Sequence, residues 1–200
     1  ELPMRRGLES EGVKLVDGQQ ALMDAREIKT DEEIEILKQA AAMVDGVYLD
    51  IAKAIRPGAR ESDLVAIANE QLYAMGSERV ECVNSVAGPR GAPHSHTFSD
   101  RMIQPGDMIF LDIMHSLNGY HTCYYRTFIC GIPNQAQKDA YEQCSQWVNS
   151  ALEAIQPGAL LDDVSRAWPK AEEFGYDIDE SEYEEDMYYE NLGRSSINRW

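Results

Sequence analysis

Apolar residues between positions 31 and 55 recur at steps of three and four, which is the spacing of one helix face. Thr30 precedes this segment and Glu33 follows three residues later, an arrangement typical of a capping box. Arg56-Pro57-Gly58 then ends the pattern. We expect one long helix with a buried stripe made of Ile34, Leu37, Ala41, Val44, Tyr48, Ile51 and Ile55.

A second helix is predicted from Ser62 or Asp63, either of which can cap it, through about Tyr73, and Gly76 ends it. The link between the two helices recurs, since residues 54–59 read AIRPGA and residues 154–159 read AIQPGA. The second copy also follows a helical stripe, formed by Tyr141, Cys144, Val148, Ala151 and Ile155. Chance reuse of a helix stop is one interpretation, but the matching flanks favour a duplicated α+β unit.

Two strands are predicted at residues 108–116 and 120–130, on either side of Asn118-Gly119. Asn-Gly is a strong hairpin signal because both positions of the tight turn need φ > 0. This turn pairs Leu117 with Tyr120 and fixes the register of the hairpin. Alternation then places Asp112, Met114, His121, Cys123 and Tyr125 on one face, and His115, Thr122, Tyr124 and Arg126 on the other.

Asp112 stands in an otherwise apolar strand, where an ionised carboxylate needs donors or a cation. It either bonds to backbone or to Arg126 near a strand end, or it binds a metal ion or a cationic substrate group. Just before the hairpin, a glycine- and proline-rich segment carries His94 and His96. Histidine can take and return a proton near neutral pH, although a loop histidine can also be merely exposed.

The formal net charge of −17 in 200 residues argues against a nucleic-acid or anionic-membrane partner. Part of it is local, because eight acidic residues and no basic residue lie between Asp177 and Glu190. The four cysteines form no CxxC pair, which indicates a reducing compartment rather than a disulfide framework. The sequence shows neither a signal-peptide pattern nor an apolar run of roughly 18 residues, so we expect a cytoplasmic protein.

The middle of the chain carries a set of short motifs, namely Gly88-Pro89, Pro93-His94, Ser99-Asp100-Arg101, Pro105-Gly106-Asp107, Asp112, Gly119-Tyr120 and Arg126-Thr127. This set resembles the central signature of the creatinase and aminopeptidase P superfamily, the pita-bread enzymes. That superfamily includes methionine aminopeptidase, aminopeptidase P, prolidase, creatinase and the lyase that cleaves dimethylsulfoniopropionate. The resemblance spans roughly Ile28 to Tyr176. It implies an α+β pita-bread fold built as a pseudo-twofold duplicated α+β unit.

The resemblance also implies site residues. A catalytic histidine of these metallopeptidases falls on His94, with His96 as the alternative, and the first of two metal-binding aspartates falls on Asp112. The second falls on Cys123, a softer ligand suited to zinc or iron. Creatinase has also lost these aspartates and works without metal, so the chain looks like a metal-poor branch. The cofactor is expected to be either none or a divalent zinc, iron or manganese ion.

The family's His-Gly-x-Gly turn and two later glutamates are not found after Tyr176, so the fold is expected to be incomplete at the C-terminus. The predicted organisation is a linker at 1–29 that follows a missing N-terminal domain, a partial catalytic-type domain at 30–176 and an acidic tail at 177–200. Family members often pair as homodimers, and open sheet edges would favour pairing here.

Three functions stay open at this stage. The first is a hydrolase acting on a C–N bond of a small amino-acid-like substrate, either an X-Pro peptide or a creatine-like compound. In it His94 or His96 moves a proton, Asp112 and Cys123 hold a cation, and His121, Tyr125 and Arg126 contact substrate. The second is a non-catalytic truncated relative or binding module. The third is a lyase for a sulfonium or betaine substrate.

Overall fold

The computed structural model of the protein describes residues 2–92 and 95–175. Its helices are α1 (Leu2–Ser10), α2 (Gln19–Glu27), α3 (Asp31–Ala54), α4 (Glu61–Ala74), α5 (Gln135–Ala154) and α6 (Leu161–Ser165). Its strands are β1 (Arg79–Ala87), β2 (Met108–Leu117) and β3 (Tyr120–Ile129), and short 3₁₀ turns occupy Gly88–Gly91 and Ala171–Phe174. None of the helices in the described residues is long and apolar enough to cross a membrane.

The chain divides into two compact units. One comprises residues 30–145, and the other, within the described residues, comprises 2–29 and 146–175. The predicted linker at 1–29 contains α1 and α2. The acidic tail predicted at 177–200 lies outside the described residues, and the boundaries proposed for the three segments stay predictions.

The capping box at the start of α3 is confirmed. The Thr30 amide donates to Glu33 Oε2 at 2.6 Å, and the Glu33 amide donates to Thr30 Oγ1 at 3.3 Å. The stripe of α3 is confirmed at Val44, Tyr48 and Ile51 but runs wider than predicted, with buried Ala40 and Val47. The difference arises because α3 contacts α4 as well as β2 and β3, so it buries more than one narrow face. Ile34, in its first turn, is exposed.

Neither Ser62 nor Asp63 caps α4, which corrects the prediction. The N-cap is Arg60, and Asp63 instead accepts the Arg60 amide at 2.8 Å from the third helical position. The duplicated turn shows the same chemistry, because Asp163 accepts the Leu160 amide at 3.1 Å. The glycines of the two turns also agree, with φ of 87° at Gly58 and 93° at Gly158. The repeat seen in the sequence is therefore a repeat of local structure.

The hairpin register is confirmed, with Leu117 opposite Tyr120 and Asp112 opposite Tyr125. Asn118 and Gly119 take φ of 51° and 80°, as the tight turn requires. Strand β1 was not predicted, and it pairs antiparallel with β2 to give a three-stranded sheet of order β1-β2-β3. A bulge between Val80 and Cys82 breaks the alternation of β1, and polar Asn84 and Ser85 interrupt its apolar run.

One face of the sheet packs on α3 and α4 and forms the core. Leu111 and Ile113 of β2 and Val83 of β1 point to this face and meet Ile51 and Leu64 from the helices. Each fully buried aliphatic side chain of this kind stabilises the fold by about 1.5–3 kcal/mol. Because side chains alternate along β2, the residues between them project to the opposite face, where the candidate site lies.

An ion pair between Arg101 and Asp107 lies in the segment that connects the 3₁₀ turn at Gly88–Gly91 to β2. Arg101 Nη1 lies 2.6 Å from Asp107 Oδ2, which also accepts the Gln104 amide at 2.8 Å. Gly88 lies directly against this pair with φ of 60°, and a Cβ atom there would stand 2.5 Å from Asp107 Oδ1. These signature residues therefore have an architectural role in this chain.

We expect Gly88→Ala to destabilise the protein more than Gly106→Ala. Both glycines have positive φ, but a Cβ at Gly106 would meet nothing within 4 Å. The shared backbone strain costs about 1–2 kcal/mol, and the clash at Gly88 adds about 1–3 kcal/mol. Urea denaturation of both variants measures the difference, and equal unfolding free energies would contradict the close approach.

Asp107→Asn is expected to lower the free energy of unfolding most above about pH 4. Burial alone would raise the pKa of Asp107, but Arg101 and the Gln104 amide lower it overall. A lowered folded-state pKa gives stability that is present above the unfolded-state pKa and is lost as pH falls through the folded-state value. The stability difference between wild type and Asp107→Asn should therefore shrink on acidification. Denaturant curves measured down to about pH 3 test this, and a constant difference would refute it.

Candidate functional site

Asp112 is a buried carboxylate on the face of the sheet opposite the core, with 1% of its surface exposed. The Asn84 side-chain amide donates to its Oδ2 at 3.1 Å, and the Cys123 thiol donates to its Oδ1 at 3.5 Å. Both partners are neutral, and neither is the backbone or Arg126 considered from the sequence. A carboxylate has about four lone-pair sites, so acceptor capacity remains for a cation or a further donor.

The charge of Asp112 acts on its neighbours. Burial first and Asp112 second raise the pKa of the Cys123 thiol, and the same two causes raise the pKa of Cys82. The pKa of the Tyr125 phenol is raised chiefly by Asp112. Tyr125 also stacks with Phe110, with ring centroids 5.1 Å apart. These groups therefore stay protonated near neutral pH, and of the three the Cys123 thiol donates to the carboxylate of Asp112.

The predicted metal ligands lie together, but the donors in the described residues do not fit a complete metal site. Asp112 and Cys123 supply one oxygen ligand and one thiol, and no group of three or more His, Cys, Asp or Glu side chains suited to a metal occurs in residues 2–92 and 95–175. A thiol must lose its proton to bind a metal, and its surroundings here oppose that loss. A pair of hard divalent ions needs more oxygen ligands than this arrangement offers.

The segment that follows β1 leads to a cleft. His94 lies outside the described residues, whereas His96 is exposed and lines a cleft of about 390 Å³. The other lining residues are Val65, Asn69, Val80, Glu81, Cys82, Val83, Asn84, Thr97 and Phe98. Asn84 therefore belongs to this cleft and also donates to Asp112. It therefore links Asp112 to the cleft that His96 lines.

The predicted substrate-binding residues divide between the two faces. Tyr125 lies opposite Asp112, and His121 lies four residues before Tyr125 on the same face, with Nδ1 3.0 Å from Glu81 Oε1. Arg126 projects to the helix side, 4.7 Å from the centroid of the Tyr124 ring. The structure thus groups Tyr125 with Asp112 but does not bring Arg126 to it, because adjacent strand residues point in opposite directions.

Sequence reasoning missed Asn84 and Glu61. Asn84 belongs to the strand that was not predicted, and its position opposite Asp112 follows only from the β1–β2 register. Glu61 is fully buried at the start of α4, although an acidic residue in a first helical turn usually faces solvent. Glu61 follows the Pro57-Gly58 turn closely, but nothing in this part of the sequence indicates that its side chain is buried.

Comparison with known proteins agrees with this description. The sequence matches the profile of metallopeptidase family M24 over residues 35–194. It is 32% identical over 157 residues to the probable dipeptidase PepE of Mycobacterium tuberculosis, covering 78% of this chain and 42% of that protein. It is 32% identical over 159 residues to the Xaa-Pro dipeptidase of Pyrococcus furiosus, covering 78% of this chain and 45% of that protein. The chain thus spans less than half the length of these relatives.

Solved structures show the same fold. The prolidase from Pyrococcus furiosus superposes with a TM-score of 0.72 at 30% identity, covering 78% of this chain and 47% of that one. Dipeptidase PepE from Mycobacterium ulcerans gives a TM-score of 0.72 at 29% identity, covering 80% and 43%. These neighbours confirm the predicted α+β pita-bread fold.

Asp112→Asn is expected to speed alkylation of Cys123. The substitution removes the negative charge that raises the pKa of this exposed thiol, while burial still raises it, so the pKa falls part of the way towards its ordinary value. More thiolate is then present at a given pH, and the rate profile shifts to lower pH. Peptide mass spectrometry after iodoacetamide treatment between about pH 7 and 10 follows Cys123, with exposed Cys144 as the internal reference. An unchanged Cys123 profile would refute the coupling.

Proposed function

Because the chain belongs to metallopeptidase family M24, we propose that it carries part of the active site of a hydrolase that cleaves a C–N bond in a small amino-acid-like substrate. The observation that supports this most directly is Asp112. Its carboxylate is buried, its partners are neutral, and it lies on the sheet face that does not form the core. A buried anion with spare acceptor capacity is suited to hold a cationic group in place.

The X-Pro dipeptide is the first substrate class to consider. The names Xaa-Pro dipeptidase and prolidase among the relatives support it. A creatine-like substrate is the second, because Cys123 stands where the resemblance expects an aspartate and the guanidinium group would supply the missing positive charge to Asp112. In either case the substrate's cationic group pairs with Asp112, and the phenol of Tyr125 opposite it contributes a neutral donor.

The chemistry proposed for these residues adds one water molecule across the C–N bond. The water oxygen bonds to the carbon, and the leaving nitrogen takes up a proton as the bond breaks. His94, with His96 as the alternative, accepts the proton from water and returns it to nitrogen. His96 lines the same cleft as Asn84, whose side-chain amide donates to Asp112, and this supports a location for the proton carrier near the anion.

A binding module without catalysis is the competing function. The observation in its favour is the donor set, since Asp112 and Cys123 alone do not complete a metal site in the described residues. A module of this kind would still bind cationic amino-acid derivatives at Asp112, so binding without turnover distinguishes the two functions.

The test uses the full 200-residue chain. Hydrolysis of X-Pro dipeptides and creatine is measured with chelator and with added zinc, manganese or iron, and binding is measured by calorimetry. We expect turnover that falls by about 10²–10⁴-fold in His94→Ala or, for the alternative, in His96→Ala. Asp112→Asn should lower kcat/KM by about 30-fold or more, since a buried charged partner is lost.

Asp50→Asn is the matched control, because Asp50 is a half-exposed carboxylate on α3 paired with Lys53. Its activity should equal that of wild type. Binding that depends on Asp112 without hydrolysis of any substrate under any metal condition would instead establish the module. Equal activity of wild type, Asp112→Asn and both histidine variants would reject the proposed site.

A further inference from the structure

The two ends of the segment that carries His96 meet at a single carboxylate. Glu61, at the first position of α4, is fully buried. Its Oε1 accepts the Ala87 amide at 2.7 Å, and its Oε2 accepts the Ser99 amide at 2.8 Å. Ala87 is the last residue of β1 and Ser99 precedes the return to β2, so one side chain joins the entry and the exit of this segment.

Two side chains from the same segment complete the contacts of Glu61. The Ser99 hydroxyl donates to Oε2 at 2.7 Å, and Arg90 forms an ion pair with the same oxygen. Arg90 also donates to Ser99 Oγ at 2.9 Å and to the Thr97 carbonyl oxygen at 3.0 Å. We call Glu61, Arg90 and Ser99 the loop clamp.

Because the Glu61 carboxylate is buried, the loop clamp favours the one conformation of residues 87–99 that supplies its partners. An ionised carboxylate removed from water is costly unless a cation and several donors surround it, and here every one of those groups comes from residues 87–99. Backbone bonds add to the same connection, since the Ser62 amide donates to the Ser99 carbonyl at 3.1 Å. Displacement of the segment would therefore leave the Glu61 charge buried without partners.

We propose that Glu61 is a positioning residue that holds the described parts of segment 88–99 in place and thereby keeps His96 at the cleft. The inference rests on the proposed function for its catalytic consequence, but the clamp itself does not. Asp63 provides the contrast within the same helical turn, because its carboxylate is exposed and accepts only the Arg60 amide as a cap. An acidic residue at the start of α4 therefore does not fix the loop merely by its place in the helix.

The test compares Glu61→Gln with Asp63→Asn in the full chain. A glutamine has one acceptor oxygen and an NH₂ group that only donates, so it cannot accept both the Ala87 and the Ser99 amides. Hydrogen exchange resolved by NMR should show about ten- to a hundredfold faster exchange at one of these two amides, with the β2–β3 ladder unchanged. Asp63→Asn should leave both loop amides at wild-type rates.

Ser99→Ala is the milder variant if Glu61→Gln does not fold. It removes the hydroxyl that bridges Glu61 and Arg90 while keeping the Ser99 backbone amide, so faster exchange should again be confined to the loop. Where wild type hydrolyses a substrate, both variants should lower kcat by about tenfold or more with little change in KM.

The exchange data decide the clamp whether or not the chain proves to be a hydrolase. Loop-specific acceleration in a chain without turnover would support the clamp and reject the proposed function. Exchange that rises equally in the loop and in the β2–β3 ladder would mean that Glu61 only stabilises the fold, and the inference would be overturned. Unchanged loop exchange in Glu61→Gln and Ser99→Ala would overturn it as well.

Discussion

The register of the β2–β3 hairpin is the constraint on which the other features depend. The side chains of a strand alternate between faces, so a slip by one residue would turn Asp112 into the apolar core and expose Leu111 and Ile113. The Asn118-Gly119 turn prevents this slip by fixing which residues are opposite. The same register thus places the hydrophobic core on one face of the sheet and the candidate site on the other.

Within residues 2–92 and 95–175, two carboxylates are buried, those of Glu61 and Asp112, and their surroundings differ. Glu61 pairs with the Arg90 cation and accepts hydrogen bonds from three donors, and these contacts join the two ends of residues 87–99. Asp112 has two neutral donors and no charged hydrogen-bond partner in the described residues. The partners of Glu61 within the protein satisfy its charge, whereas Asp112 keeps acceptor capacity for a ligand. This contrast is the physical basis for treating Asp112 as a site and Glu61 as a support.

Patterns of neighbouring residues predicted the structural features that depend on interactions between residues close in sequence. The Thr30–Glu33 capping box, the buried part of the α3 stripe and the hairpin register all follow from residues close in sequence. The same register also predicted that Arg126 lies on the face away from Asp112, although Arg126 was also a candidate for substrate binding. Strand β1 could not be recognised because its bulge and its polar centre hide the period of two. Asn84 and Glu61 act through pairing and burial between distant segments, which no local pattern encodes.

The repeated turn has one further consequence. Its capping aspartate recurs, since Asp63 and Asp163 bind the amide three residues before them, but the residue at the position of Glu61 in the second copy is Leu161. A leucine cannot accept the amides that Glu61 accepts in the first copy. The two turns therefore share one backbone conformation and one capping contact, but only the first copy carries a carboxylate that can anchor a neighbouring segment.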